Sequence, residues 1–308
     1  CTMILKPAGE TPLTALAIVD ILERCGLPKG VLNVILPAQS GPGISKVLHD
    51  SRVKNLSFTG STQVGKILLK EAADQVIRCS MELGGNAPFV VLDDANIEEA
   101  VKGLMMAKMR NGGAACTAAN RIYVARSIGD KFIAEFSKAM AALKMGVGRE
   151  AGTQLGASVS MKERNKIAEL VDAAKAGGAK VHLGGTTPDG AGAFYPATVL
   201  EVAKDDAILA EEVFGPVAPV VLFDTDEEAL KMANDTEYGL ISYVYSEDLK
   251  RAIRFAEGIE AGMVGINRGL LSDPAAPFGG VKQSGLGREG GFDGVHEFLQ
   301  TKYIGVEI

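Results

Sequence analysis

The chain has 308 residues, of which 47% are hydrophobic, so it can bury a sizeable core, and its length favours two domains over one. The formal net charge is −6 and the basic residues are scattered, so no positive stripe is available to bind a phosphate backbone. No apolar run approaches the roughly 20 residues of a membrane span, and the opening CTMILKPAGE lacks the features of a secretory signal. We therefore expect a cytoplasmic globular protein that binds neither nucleic acid nor membrane.

The four cysteines are Cys1, Cys25, Cys79 and Cys116, and they form no C-x-x-C pair. They also share no neighbourhood with the three histidines, so a metal site and a disulfide framework are both poorly supported. We expect reduced thiols, most of them structural, and no bound metal.

The first segment alternates strands and helices. Its opening CTMIL has the pattern of a buried strand with no turn or cap before it, which predicts that the chain is the later part of a longer one. Thr11 followed by Pro12 predicts a helix start, and the apolar spacing carries that helix to about Gly26. Further strands are expected at 31–36, 53–58 and 77–83, with helices at 44–49 and from the turn 60–65 to about 73. This alternation predicts a parallel, doubly wound sheet.

Gly84 and Gly85 begin a second unit of the same α/β class. A strand at 87–92 is followed by Asp94, which we expect to cap a helix that ends at Met109. Later strands are expected at 121–125, 180–183, 198–202, 217–223, 240–245 and 263–267, and helices at 131–143, 162–174, 226–234 and up to about 256. The glycine-rich stretch 268–291 is predicted to be a loop, and 300–308 a terminal strand.

A glycine turn from Gly60 to Lys66 nearly matches the Walker phosphate loop. Ile67 stands where that motif has a hydroxyl residue for Mg²⁺, and the G-x-G-x-x-G dinucleotide fingerprint is also absent. What remains is a turn that opens a helix after a buried strand, where free backbone N–H groups bind anions. Taken alone, the turn is better interpreted as a plain strand–helix connection.

Cys116 stands in RNGGAACTAANR, where small neighbours leave room for a ligand. Taken singly, a buried structural thiol is the commoner case. Backbone N–H groups near a helix start would stabilise a thiolate, which favours a nucleophile. No histidine lies within sequence reach, so a Cys–His dyad is unsupported but stays open.

Two charged residues are candidates for catalysis or substrate binding beside that thiol. Glu82 lies in the otherwise apolar run MELGG, where desolvation would bring its pKa toward that of a general base. A strand-end glutamate that faces solvent is an equally good interpretation. Arg110 either complements a helix C-terminus or binds a substrate carboxylate.

Five motifs, LSFTGSTQVGK, MELGGNAPFVV, NGGAACTAANR, EEVFGPVAP and PFGGVKQSGLGRE, cover the chain in the order and approximate spacing of the aldehyde dehydrogenase superfamily. KPAGETP, MRNGGAAC, GLLS and TKYIGVEI most resemble its succinate-semialdehyde dehydrogenase branch. The resemblance implies an aldehyde dehydrogenase-like α/β fold, with a partial Rossmann-like cofactor domain at 1–83 and an α/β catalytic domain at 84–297. It also implies an oligomerisation strand at 298–308 and a homo-oligomer, a dimer or a tetramer.

The resemblance further implies oxidation of an aldehyde with a distal carboxylate, in the first place succinate semialdehyde, with NAD or NADP as cofactor. Cys116 is then the nucleophile that passes through a thiohemiacetal and a thioester, and Glu82 activates the deacylating water. Arg110 and Ser272 bind the distal carboxylate. The cofactor-binding residues implied are Lys6, Gly9, Thr59, Gly60, Ser61, Val64, Leu83, Glu212 and Phe214.

The chain departs from the family pattern at several positions. The family's oxyanion-hole asparagine would lie before Cys1, Ala114 replaces a usual glutamine, and Ala118 replaces the second cysteine of redox-switched branches. Gly9 stands where NAD-preferring members often carry a glutamate, so we expect NADP to be accepted beside NAD. Two other functions stay open: a truncated, catalytically silent homologue that binds nucleotide or a full-length partner subunit, and a thiol esterase.

Overall fold

The computed structural model describes residues 1–308, which pack as two compact units. The smaller unit comprises 1–56 and 68–78, and the larger comprises 57–67 and 79–308. Packing therefore divides the chain differently from the predicted boundary at 83/84, because residues just before that boundary pair with a strand from the end of the chain. The predicted division by function remains a prediction.

The smaller unit holds two parallel strands and two helices: β1 (Met3–Leu5), α1 (Pro12–Arg24), β2 (Leu32–Val34) and α2 (Ser40–Leu48). Helix α1 starts with proline at its first position, as predicted. Helix α2 starts four residues earlier than predicted. Pro42 lies in its first turn, where backbone N–H groups have no partner within the helix, so a residue that lacks an N–H is tolerated there.

The prediction of a single doubly wound sheet for the first segment is wrong. Strands β3 (Asn55–Thr59) and β4 (Arg78–Glu82) instead form a separate three-stranded sheet with β14 (Gly285–Leu286), in the order β14-β4-β3. Helix α3 (Thr62–Ala73) follows β3. Strands β4 and β14 are antiparallel, and Gly285 lies opposite Glu82.

The predicted loop at 268–291 is wrong at two short strands. Besides β14, it contains β13 (Val281–Lys282), which pairs antiparallel with β10 (Tyr238–Gly239). Each is two residues long, and its hydrogen-bond partners lie far away in the chain, so no local periodicity marks them.

The larger unit is built on a seven-stranded sheet in the order β12-β11-β5-β6-β9-β8-β7. All neighbouring pairs are parallel except β7 and β8. Its strands are β5 (Ala87–Val91), β6 (Ala119–Ala125), β7 (Lys180–Leu183), β8 (Thr198–Glu201), β9 (Val217–Phe223), β11 (Ile241–Tyr245) and β12 (Met263–Ile266). Alternate residues of β5 enter two different apolar clusters, because successive side chains of a strand point to opposite faces. The α/β fold class is confirmed.

Helices flank this sheet: α4 (Ile97–Met109), α5 (Arg126–Ala141), α6 (Met161–Ala176), α7 (Asp226–Asn234) and α8 (Leu249–Gly258). A short helix, α9 (Asp293–His296), follows β14. Two 3-10 helices lie at Arg110–Gly113 and Ala207–Ala210. The predicted cap of α4 is wrong: Asn96 accepts from the N–H of Glu99, whereas the Asp94 carboxylate accepts from Ser246 and Asp248. None of the helices combines the length and the apolar character that a membrane crossing requires.

The predicted terminal strand is wrong for the single chain. Residues 300–308 adopt neither helix nor strand, and all are exposed, including Tyr303 at 93% and Ile304 at 73%. A strand needs a hydrogen-bonding partner, and this segment pairs with none within the chain. Its role in oligomerisation remains a prediction.

Candidate active site

Cys116 lies in the turn between α4 and β6. The chain reaches it through the 3-10 helix, in which Asn111 (φ 53°), Gly112 (φ 62°) and Gly113 (φ 80°) are all left-handed. Asparagine and glycine adopt this conformation most easily. A Cβ at Gly113 would also meet the carbonyl oxygen of Gly215. The residues that looked merely small in the sequence are therefore required to bend the backbone toward the thiol.

The Cys116 thiol is half-buried at the edge of the core. Burial raises its pKa, the carboxylates of Glu212 and Glu82 raise it further, and its own backbone N–H and Arg110 oppose the shift. The expectation of a thiolate stabilised by a helix start is wrong, because Cys116 follows a 3-10 helix in a turn and begins no helix. The net effect favours the protonated thiol over the thiolate.

Glu82 ends strand β4 and is only 5% exposed. Burial raises the pKa of this carboxyl to about 7, Glu289 raises it and Arg288 lowers it. Its Oε2 has no hydrogen-bond partner in the folded chain. The solvent-facing interpretation is therefore wrong, and Glu82 is a desolvated carboxyl that titrates near neutral pH.

A second carboxylate, Glu212, is held by one hydrogen bond, and Lys108 holds the backbone of the next residue, Val213. Its Oε1 accepts a 3.0 Å hydrogen bond from the N–H of Gly85, and burial raises its pKa. Lys108 is fully buried, and its Nζ donates to Asn120 Oδ1 at 2.8 Å and to the carbonyl of Val213 at 3.3 Å. Burial lowers the Lys108 pKa to about 7, while Glu212 opposes that shift.

Arg110 and Thr117 form a polar pair on either side of the nucleophile candidate in the chain. Arg110 is exposed, and its Nη2 donates to Thr117 Oγ1 at 3.0 Å. The hydroxyl of Tyr243 donates to the Thr117 carbonyl at 2.9 Å. The charge of Arg110 lowers the pKa of both Cys116 and Tyr243, against the larger effect of burial.

The family model of the aldehyde dehydrogenases matches residues 1–304. The chain belongs to this family. The predicted family is confirmed, and its members are oxidoreductases. Succinate-semialdehyde dehydrogenase of Paenarthrobacter nicotinovorans is 53% identical over 308 residues, covering 99% of this chain and 68% of that protein. Glutarate-semialdehyde dehydrogenase of Pseudomonas putida is 46% identical over 308 residues, covering 100% of this chain and 64% of that protein.

The fold of this aldehyde dehydrogenase chain also matches solved structures. The crystal structure of an NADP-dependent enzyme from E. coli superposes with a TM-score of 0.96 at 42% identity, covering 99% of this chain and 63% of that one. The chain thus spans about two thirds of the length of the proteins that it matches. The expected branch, succinate-semialdehyde dehydrogenase, is among them.

The residues at the start of α3 suit an anion such as a pyrophosphate. Ser61 is exposed and accepts from the N–H of Val64 at 3.4 Å, and the first turn contains no acidic residue. Gly60 donates its N–H to the Glu82 carbonyl at 3.0 Å. A Cβ at Gly65 would meet the side chain of Leu83, so the glycine lets α3 pack close to the strand end.

The other predicted cofactor residues show simpler surroundings. Lys6, in the smaller unit, donates from Nζ to Ser40 Oγ at 3.4 Å, and a Cβ at Gly9 would meet no atom within 4 Å. Thr59 is exposed, and so is Phe214, at 42%.

Ser272 is the other residue predicted to bind the substrate, and it is not part of the Arg110–Thr117 pair. It lies exposed in the loop after β12 and makes no hydrogen bond with Arg110 or Thr117. Its part in binding the distal carboxylate remains a prediction.

Sequence reasoning missed Lys108, Thr117 and Gly85. Lys108 had one signal, an isolated charge in the apolar run MMAKM, and Gly85 was taken only as a break between units. Thr117 had no signal, because its role depends on contacts with Arg110 and Tyr243 that only the fold creates.

Proposed function

We propose that this chain oxidises an aldehyde that carries a distal carboxylate, in the first place succinate semialdehyde, to the acid with NAD or NADP. The observation that carries the proposal is that Gly85 brings three groups together: its N–H binds the Glu212 carboxylate, a Cβ on it would meet the carbonyl oxygen of Cys116, and the buried Glu82 lies three residues before it. The family membership and the names of the relatives support the same reaction.

Acylation begins on Cys116. Its sulfur attacks the aldehyde carbon, the C–S bond forms, and the carbonyl oxygen becomes an oxyanion that the Cys116 N–H stabilises. The thiol must lose its proton, and Glu82, with a pKa near 7, is the acceptor best matched to this task. When bound, the nicotinamide supplies the acceptor for the hydride that leaves the aldehyde carbon.

Deacylation uses Glu82 again. After Glu82 has released the thiol proton to solvent, its carboxylate takes a proton from a water molecule, whose oxygen attacks the thioester on Cys116. The C–S bond then breaks, the acid leaves, and the sulfur recovers its proton. Burial of Glu82 supports this role, because it keeps enough base and enough acid present near neutral pH.

The chain's residues fit a nicotinamide dinucleotide. The N-terminus of α3, with the exposed Ser61, would hold the pyrophosphate, helped by Thr59, Gly60, Val64 and Leu83. Glu212 and Phe214 would hold the nicotinamide ribose and ring, and Lys6 and Gly9 the adenine-side ribose. Ser272 would join Arg110 on the distal carboxylate.

Variants of the complete gene product test the proposal. Cys116→Ser should abolish turnover of succinate semialdehyde, while Cys79→Ser, at another partly buried thiol, should retain it. Arg110→Leu should lower kcat/KM for succinate semialdehyde by about 10²-fold, because a charge-assisted hydrogen bond is lost. Unchanged turnover in the Cys116 variant would refute the mechanism, and cofactor binding without hydride transfer would favour a silent homologue.

A further inference from the structure

We propose that Thr117 fixes the position of the Arg110 guanidinium and thereby sets how far from Cys116 the enzyme accepts the distal carboxylate. Thr117 is a positioning residue for specificity, and its role depends on contacts that only the fold creates. The inference rests on the proposed function and narrows its substrate class to short semialdehydes.

Thr117 binds Arg110 directly through its hydroxyl group. Arg110 is exposed at the start of the 3-10 helix, yet its Nη2 donates to Thr117 Oγ1 at 3.0 Å. A free arginine side chain samples many rotamers, and holding its planar fork in one place reduces the entropy lost when it binds a carboxylate. Thr117 therefore preorganises the group that we assign to substrate recognition.

Thr117 is itself fixed in place by burial and by a hydrogen bond from Tyr243. It is 6% exposed, and the Tyr243 hydroxyl donates to its carbonyl at 2.9 Å. Tyr243 belongs to β11, is 2% exposed and packs against Phe89 of β5 with ring centroids 5.7 Å apart. The anchor for Arg110 is thus the central sheet and not a loop.

The Thr117 hydroxyl also carries a hydrogen that it can donate. A threonine hydroxyl has one donor and two acceptor lone pairs, and here one lone pair takes the Arg110 N–H. The folded chain provides no acceptor for the hydroxyl hydrogen among its side-chain hydrogen bonds. A carboxylate oxygen beside the Arg110 guanidinium would be such an acceptor, so the pair presents two donors to one anion.

The position of the guanidinium determines which substrate length the enzyme prefers. Thr117 follows Cys116 directly in the chain, so a guanidinium held by Thr117 stays near the sulfur that must attack the aldehyde carbon. The length of substrate that fits is then set by where Thr117 holds the guanidinium. We therefore expect a four-carbon semialdehyde to be preferred over a five-carbon one, since one extra methylene changes kcat/KM by about 10- to 200-fold in a fitted pocket.

Steady-state kinetics with succinate semialdehyde, glutarate semialdehyde and uncharged butanal test the inference on the complete gene product. Thr117→Val keeps the shape and removes the hydroxyl, and should raise KM for succinate semialdehyde about tenfold, the effect of losing one positioning hydrogen bond. It should reduce the preference for four carbons over five, and change KM for butanal much less. Thr117→Ser restores the hydroxyl and should recover most of the preference.

Two comparisons test whether the effect is specific to the Thr117 hydroxyl. Thr198→Val removes a buried hydroxyl in β8 and should leave the ratio of succinate-semialdehyde KM to butanal KM as it is in the parent. In an Arg110→Leu background, Thr117→Val should have no further effect, because its action passes through the guanidinium. If Thr117→Val does not fold, Thr117→Ala replaces it as the hydroxyl-free variant.

The inference is overturned if the hydroxyl-free variant leaves the succinate-semialdehyde KM unchanged, or raises it in proportion to that of butanal. A different pattern marks failure of the proposed function: the parent enzyme then oxidises neither semialdehyde, or Arg110→Leu behaves like the parent, and both proposals are overturned together. A parent that depends on Arg110 but not on Thr117 overturns only the present inference.

Discussion

The N–H of Gly85 donates a 3.0 Å hydrogen bond to Oε1 of Glu212, a residue 127 positions further along the chain. A Cβ at Gly85 would also meet the carbonyl oxygen of Cys116. Gly85 therefore joins three parts of the site: the strand end that carries Glu82, the turn that carries the thiol, and the segment that carries Glu212. Only a residue without a side chain permits this approach.

Replacing Gly85 with alanine should therefore displace the Cys116 turn. We expect kcat/KM to fall by about 10²-fold or more, because small misplacements of reacting groups have effects of this size. Gly156→Ala is the matched control, since a Cβ there would meet nothing within 4 Å. Kinetics and thermal unfolding of both variants check the prediction, and a fully active Gly85→Ala enzyme would contradict it.

The pKa of Glu82 predicts the pH dependence of turnover. Because burial raises that pKa to about 7, the fraction present as the base grows as pH rises through 7, and kcat should rise with it. Glu82→Gln should lower kcat by about 10²- to 10⁴-fold and lose this rise. A pH–rate profile of each enzyme is the measurement, and an identical profile in both would count against Glu82 as the base.

Glu82 also predicts how stability changes with pH. Its pKa in the folded state, about 7, lies above its ordinary value, so its stabilising contribution is complete below the unfolded-state pKa and is lost as pH rises through 7. Urea unfolding should thus show Glu82→Gln gaining stability relative to the parent between pH 5 and pH 8. Glu257→Gln, at an exposed position of α8, should show no such trend. A parallel pH response of parent and Glu82→Gln would contradict the assignment.

Much of the fold follows from local pattern. The apolar runs of β5 and β9 are continuous because both faces of a parallel sheet are covered, and the bounds of β5, β6 and β9 fall within about two residues of prediction. Strands β13 and β14 were missed because two-residue strands gain their identity from distant partners. The terminal segment was misjudged for the opposite reason, since its strand-like composition has no partner in the chain.

The site shows the same division. Cys116 and Glu82 were found because a thiol among small residues and a carboxylate in an apolar run are unusual in themselves. The direction of the Cys116 pKa was not found, since it depends on burial and on Glu212, nearly a hundred residues away in sequence. Thr117 was missed because a threonine is ordinary until its neighbours in space are known.

Gly9 allows a direct test of cofactor choice. A side chain at this position would meet no atom within 4 Å, so the backbone accepts a larger residue there. Gly9→Glu should lower kcat/KM for NADP about tenfold relative to NAD, because the carboxylate repels the 2′-phosphate. Gly9→Gln is the uncharged control and should change the NADP-to-NAD ratio much less. Equal losses with both cofactors would show that Gly9 does not face the ribose.

Lys108 touches none of the proposed ligands, yet we expect its replacement to weaken cofactor binding. Its Nζ holds the carbonyl of Val213, between Glu212 and Phe214, and also Asn120 Oδ1. Lys108→Met fills the same volume without a donor, so the segment that carries Glu212 and Phe214 loses an anchor. We expect KM for the cofactor to rise about tenfold, with a smaller change for the aldehyde, which is the size of effect that one buried hydrogen bond supports.

The same variant distinguishes this anchoring role from general destabilisation of the fold, because its free energy of unfolding should depend on pH differently from that of the parent. The folded-state pKa of Lys108, about 7, lies below its ordinary value, so between the two the unfolded chain binds more protons and parent stability rises with pH. Lys108→Met lacks that contribution, so the parent should gain free energy of unfolding relative to it from pH 7 to pH 9. Lys102→Met, at an exposed position of α4, should follow the parent. A Lys108→Met enzyme with unaltered cofactor KM would show that the segment needs no anchor, whatever its stability.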